Sequence, residues 1–153
     1  MKSSTDRIER QILIKAPPSR VWRALTNPHE FGRWFHVNLT GASFEPGKRI
    51  QAEITYPGYE HVVWDVVIER MEPERVFSWR WHPAAVERGV DYSAEPTTLV
   101  EFTLRGVEGG TEVSVVESGF DKLPPERRLG AFRMNSEGWD MQLGNIENYV
   151  FTA

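Results

Sequence analysis

Between Pro124-Pro125 and Val150 the apolar residues Leu129, Phe132, Trp139, Leu143, Ile146 and Val150 fall three or four positions apart, with Ser136 filling the vacant place in the series. That spacing is the repeat of an α-helix and puts nearly all the apolar weight on one stripe. A helix over the whole segment is about 40 Å long at about 1.5 Å per residue. The chain must therefore lay one long amphipathic rod against something else, and the preceding residues say what that is.

They have a period of two. Ile50, Ala52, Ile54 and Tyr56 share one face, and Val62, Trp64, Val66 and Ile68 share another, with Val63 and Val67 making its reverse mixed. Phe77, Trp79 and Trp81 follow, then Val100, Phe102 and Leu104, then Val113, Val115 and Glu117 after Gly109-Gly110. Alternation of this kind marks half-buried strands, and the glycine pair between two such runs marks a hairpin. An earlier strand runs from Ile8 through Ile12 to Ile14 and stops at Pro17-Pro18, which suit the first turn of a helix carrying Val21, Trp22 and Leu25. A second short helix is expected from Pro28 to Phe35. Residues 82–97, "HPAAVERGVDYSAEPT", hold no period and are read as a long excursion over the surface or across a cavity mouth. Strands followed by a terminal helix predict an α+β architecture, an antiparallel sheet of about six or seven strands with helices on one face. A chain of 153 residues, 40% hydrophobic and 26% charged, is expected to form one domain over residues 1–153.

Cysteine is absent, which excludes disulfides, thiolate nucleophiles and cysteine-ligated metals. The opening "MKSSTDRIER" lacks the apolar run of a secretory signal, and no stretch reaches the roughly 20 apolar residues that span a bilayer, so a cytoplasmic protein without membrane insertion is expected. A formal charge of −4 with scattered arginines argues against nucleic acid as a partner. His29, His36, His61 and His82 show no metal-ligand spacing, and His61 and His82 take the phase opposite the aromatic faces. No phosphate-binding glycine loop, serine elbow or dinucleotide fingerprint is present, so neither metal nor cofactor is expected.

Four of the six tryptophans, Trp64, Trp79, Trp81 and Trp139, fall on inner faces of sheet or helix. Rings at such density either make a solid core or line a hollow; a curled sheet crossed by a straight helix leaves room for the second, and rigid aromatics suit an apolar guest. Glu117 lies in phase with Val113 and Val115. Either it is protonated or bonded inside an apolar enclosure, or the strand frays and it meets water. Arg70, in phase with Ile68, is a candidate partner for it, with exposure at the strand end as the default.

"IERQILIKAPPSRVWRALTNPHEFGRWF" resembles the opening of the START-like (SRPBCC) superfamily, especially its branch similar to the activator of the heat-shock chaperone ATPase. "FSWRW", "TTLVEFTL", "GGTEVSVVESGF" and "GWDMQLGNIENYV" resemble later parts of the same branch in the same order. The resemblance implies a helix-grip fold, a sheet wrapped around the C-terminal helix, enclosing a cavity that in many relatives takes lipids, sterols, polyketides or other apolar molecules. It also implies a range of activities, since carriers, cyclases, ligand sensors and co-chaperones share the fold. The full eukaryotic co-chaperone carries an additional N-terminal domain, whereas this sequence opens on the first strand, which favours a carrier over a chaperone partner.

The expected function is thus binding of a small, mostly apolar ligand between sheet and terminal helix. The expected site comprises Trp34, Ile54, Tyr56, Trp64, Trp79, Trp81, Phe102, Glu117, Phe132, Ser136, Trp139 and Leu143, with Glu117 and Ser136 orienting polar groups. The alternatives are a small cyclase, isomerase or hydrolase using Glu117 as general acid or base, and a module stimulating a chaperone ATPase. A homodimer is left open by the mixed strand face and the excursion at 82–96.

Overall fold

Six strands, most of them with burial that alternates as the sequence does, form in the computed structural model, which describes residues 5–152. The strands are β1 (Arg7–Ile14), β2 (Arg49–Glu53), β3 (Val63–Glu72), β4 (Val76–Trp81), β5 (Thr98–Val107) and β6 (Gly110–Ser118). They form one antiparallel sheet in the order β1-β6-β5-β4-β3-β2, so β1 and β2 are the edges. Between β1 and β2 the chain makes two helices, α1 (Pro18–Thr26) and α2 (Pro28–Phe35), and it ends in α3 (Pro125–Thr152), 28 residues long. The architecture is α+β, a curved open sheet gripping a long C-terminal helix.

Local chemistry explains the joints. Pro18 opens α1 from its first position, and the side chain of Asn27 accepts the Glu30 N–H at 3.1 Å to cap α2. His36 ends α2 in the left-handed region, and the Val37 N–H then returns to Gly32 O at 3.1 Å. Gly32 is required there, because a Cβ would stand 2.4 Å from Val37 O. The hairpin between β5 and β6 turns at Gly109, φ 88°. Gly110 has a second reason beyond the turn, since the end of β1 passes so close that a Cβ would meet Ile14 O at 2.2 Å.

The helices are pinned by charge as well as by packing. Glu30 accepts from Arg20 and pairs with Arg23, both at 2.8 Å, and the Arg20 guanidinium lies 5.5 Å above the Tyr149 ring, joining α1, α2 and α3. Arg10 on β1 donates to Asp140 on α3 at 2.8 Å.

Two expectations need correction. β2 stops at Glu53 instead of running on to Tyr56: Ile54 bridges to Val37, and the chain turns at Gly58, leaving Tyr56 exposed against Tyr59. Leu129 is 53% exposed, and the buried stripe of α3 begins at Ala131 and continues through Trp139, Gln142, Leu143, Ile146 and Val150. Arg70 keeps its default place, exposed, because the β3–β4 register shifts between Ile68 and Arg70, and it pairs with Glu72 and Glu101 rather than with Glu117.

Candidate functional site

Where sheet meets helix, the rings interlock. Phe31, Phe35, Phe44, Trp64, Phe77, Trp79, Phe102 and Trp139 stand in mutual contact, with centroids from 4.8 Å for Phe31–Phe35 to 6.5 Å for Phe31–Phe77. Trp79 is wholly buried and touches Phe31, Phe35, Trp64, Phe77, Trp81, Phe102 and Trp139. Apart from the stacked Phe31–Phe35 pair, the rings sit tilted or edge-on, an arrangement their quadrupoles favour. The short helices supply what the strand pattern does not reveal: Phe31 and Phe35 of α2 wedge in beside the rings of β3 and β4.

At one end of this core lies a carboxylate. Glu117 of β6, opposite Val100 on β5 and Ile8 on β1, has no exposed surface. Its Oε2 accepts from the Thr98 hydroxyl at 2.6 Å and the Trp81 indole N–H at 2.8 Å, while Oε1 accepts from the Trp139 indole N–H at 2.8 Å. Asn135 Nδ2 donates to both oxygens, at 2.9 and 3.1 Å. Burial pushes this carboxyl above the ordinary range; the bonds from Thr98, Trp81, Trp139 and Asn135 pull against it. Among the described residues no cation lies within ion-pair distance of Glu117. The strand does not fray, so this is the bonded, enclosed glutamate of the two alternatives.

Two of those donors face a cavity. It has a volume of about 720 Å³, and its lining includes Phe35, Ile54, Trp64, Trp81, Met134 and Asn135. The excursion after β4 supplies the opposite wall, from Ala84 to Ser93. His61 and His82 also line it, because both lie just outside β3 and β4, where strand phase no longer applies. At the rim Arg49 holds Asp65 through two bonds of 2.9 and 2.7 Å, which keeps that carboxyl below its usual value. Among the described residues no three of His, Cys, Asp and Glu gather closely enough to hold a metal ion.

The excursion is fastened by one side chain. Arg127, in the first turn of α3, donates to Glu95 at 2.8 Å, to Pro83 O at 2.9 Å and to Ala84 O at 3.3 Å. Its guanidinium also lies 4.5 Å from the centre of the Tyr92 ring. Both ends of the excursion are thus tied to the same guanidinium.

Of the residues singled out in the sequence, Ile54, Trp64 and Trp81 line this cavity. Trp79, Phe102, Trp139, Leu143 and Trp34 lie in the packed core, Trp34 donating its N–H to Ala24 O at 2.8 Å. Phe132 packs on Phe120 at 5.4 Å, and Tyr56 is exposed. Glu117 stands one side chain behind the cavity wall. Asn135, rather than Ser136, reaches it from α3. Asn135 and Thr98 carry signals that sequence reading missed: Asn135 precedes Trp139 by one helical step of four, and Thr98 is in phase with Val100 and Phe102.

Two helices inserted after the first strand, an antiparallel sheet and a gripping C-terminal helix define a START-like (SRPBCC) protein. A model of the family described as "Activator of Hsp90 ATPase homolog 1-like protein" matches residues 15–150, and the chain belongs to that family. No curated protein matches the sequence. Among solved structures, the chain is similar to protein MLL2253 from Mesorhizobium loti, with 25% identity, a TM-score of 0.73 and coverage of 94% of this chain and 96% of that one. It is also similar to DynU16, a putative protein in the dynemicin biosynthetic locus, with 23% identity and a TM-score of 0.72, covering 96% of this chain and 48% of that one. A protein from Arthrobacter aurescens superposes with a TM-score of 0.75 at 15% identity, over 100% of this chain and 91% of that one. No helix among the described residues is long and apolar enough to cross a membrane.

Proposed function

We propose that the protein binds a small, mostly apolar molecule in the cavity between the β3–β4 end of the sheet, α3 and the excursion at 82–97. The observation that carries this reading is the way Glu117 holds Trp81 and Asn135, two side chains of the cavity wall, at 2.8 and 2.9 Å. A buried carboxylate is costly to keep, and here its bonds fix the orientation of an indole and an amide that border a space of about 720 Å³, within the range of small-molecule sites. Apolar surface from Phe35, Ile54, Trp64, Trp81 and Met134 supplies affinity. Membership of a family whose fold serves many carriers agrees with it.

Glu117 acts here as a positioning residue. An acid or base must reach the reacting atom, and both oxygens of Glu117 are covered by Trp81, Thr98, Asn135 and Trp139. The hydrolase or isomerase reading thus has less support than the carrier reading.

The test is titration with N-phenyl-1-naphthylamine, an uncharged apolar dye, followed by its fluorescence. Saturable binding is expected, weakened about tenfold or more by Trp81→Ala and abolished by Ala85→Trp, which fills the space from the excursion side. An absence of saturable binding by the wild-type protein would overturn the reading.

A further inference from the structure

The Asn135 amide has two ends, and Glu117 takes one of them. Nδ2 donates to the two Glu117 oxygens, which fixes the amide's orientation. Oδ1 then has no hydrogen-bond partner among the described residues, on a side chain that borders the cavity. The Trp81 N–H is likewise consumed, so this tryptophan offers the cavity ring surface and no donor. It packs on Trp139 with ring planes 30° apart at 6.0 Å and lines the cavity with its remaining surface. His61 is similar in kind. Its Nε2 donates to Val86 O at 2.7 Å, and its Nδ1 is buried without a partner among the described residues.

Charge points the same way. The lining holds Asp65, Glu87 and Asp91 against Arg49 and Arg88, and Arg49 is already committed to Asp65. Behind the wall stands Glu117, which has no cation within ion-pair distance among the described residues and takes hydrogen bonds from two indole N–H groups, the Asn135 amide nitrogen and the Thr98 hydroxyl. An indole N–H given to a carboxylate leaves its ring richer in electron density, and the negative face of an aromatic ring attracts cations. This end of the cavity therefore offers acceptors, ring faces and negative potential.

On the reading that the cavity is a binding site, we infer that its ligand carries a positively charged nitrogen on an apolar, ring-containing body, with the cation seated against Trp81 and its N–H directed to Asn135 Oδ1. A primary or secondary ammonium satisfies both the ring face and the free carbonyl. An alcohol of the same shape satisfies only the carbonyl, and a carboxylate is repelled by both.

Three molecules sharing one ring system separate these cases: 2-naphthylmethylamine, 2-naphthylmethanol and 2-naphthoic acid, titrated calorimetrically into the wild-type protein at neutral pH and low salt. The ammonium is expected to bind about tenfold more tightly than the alcohol, with the acid weakest. Asn135→Leu should weaken the ammonium and the alcohol alike by about threefold or more, since both use the acceptor, while the ammonium stays ahead through the ring face; unchanged affinity for both overturns the Asn135 contact. If the alcohol or the acid binds as tightly as the ammonium, the charge inference is overturned and the cavity reading stands. If N-phenyl-1-naphthylamine binds and none of the three naphthyl probes does, the inference falls alone. If none of the four binds, both fall. Should Asn135→Leu fail to fold, the wild-type series decides by itself.

Discussion

Trp81 on β4 and Trp139 on α3 donate their indole N–H groups to different oxygens of one carboxylate, Glu117 Oε2 and Oε1, each at 2.8 Å. Glu117 thereby ties the sheet to the long helix at the point where the solid aromatic core gives way to the cavity. Trp64 and Trp79, in the same cluster, bury indole N–H groups that have no partner among the described residues. The carboxylate is thus the means by which the Trp81 and Trp139 indoles escape that cost.

Removing the acceptor should be expensive. Glu117→Leu leaves the buried Trp139 indole and Thr98 hydroxyl without a partner, along with the half-buried Trp81 indole and Asn135 amide, and each buried unpartnered group costs about 1–3 kcal/mol. A loss of about 3 kcal/mol or more is expected in urea unfolding; a change below about 1 kcal/mol would contradict the account.

The pH dependence of stability carries the sign of Glu117. Its pKa lies above the ordinary 4.5 because burial disfavours the charge, so the native state holds the proton more tightly than the unfolded chain. Its contribution is complete below pH 4.5 and is lost as pH rises through the folded pKa. Glu30 runs the other way: burial raises it, but the Arg20 and Tyr149 hydrogen bonds and the charges of Arg20 and Arg23 bring it below 4.5, so its contribution is present above that pH and lost below it. Comparing wild type with Glu117→Gln isolates the first effect. Wild type should gain stability relative to the variant between neutral pH and pH 4.5, and a loss over that interval would refute the assignment.

Core and cavity wall should separate by mutation. Trp79→Ala empties the centre of the ring cluster and is expected to cost about 3–5 kcal/mol. Trp81→Ala, at a half-buried position, should cost less stability and more dye affinity. Equal effects of the two substitutions on both quantities would show that the cavity is no more than an extension of the core.

Much of this was legible in advance, for physical reasons. Period two over Val62–Ile68 and Val113–Glu117 records burial on one face, and Pro28 to Phe35 is bounded by its own capping residue, so these elements match the structure. The family resemblance is likewise shown. The placement of the hollow was not legible. Alternation says that Trp79 and Phe102 face inward but not what meets them there, and Phe31 and Phe35 of α2 fill that space from another part of the chain. The Glu69 bulge, which turns Arg70 outward, also lies beyond any periodic reading.

Arg127 governs the excursion. Arg127→Met removes the bonds to Glu95, Pro83 and Ala84 together, and hydrogen exchange measured by mass spectrometry should then speed up in residues 82–97 while β5 and β6 keep their protection. Unchanged exchange in that segment would mean the excursion is held by other contacts.

The most direct measurement is the indole and side-chain amide region of a proton–nitrogen NMR correlation spectrum during titration with N-phenyl-1-naphthylamine. The account predicts saturable shifts for the Trp81 and Trp64 indoles and the Asn135 amide, with the Trp22 indole still. Shifts confined to Trp22 or Trp34, or none at all, would contradict it.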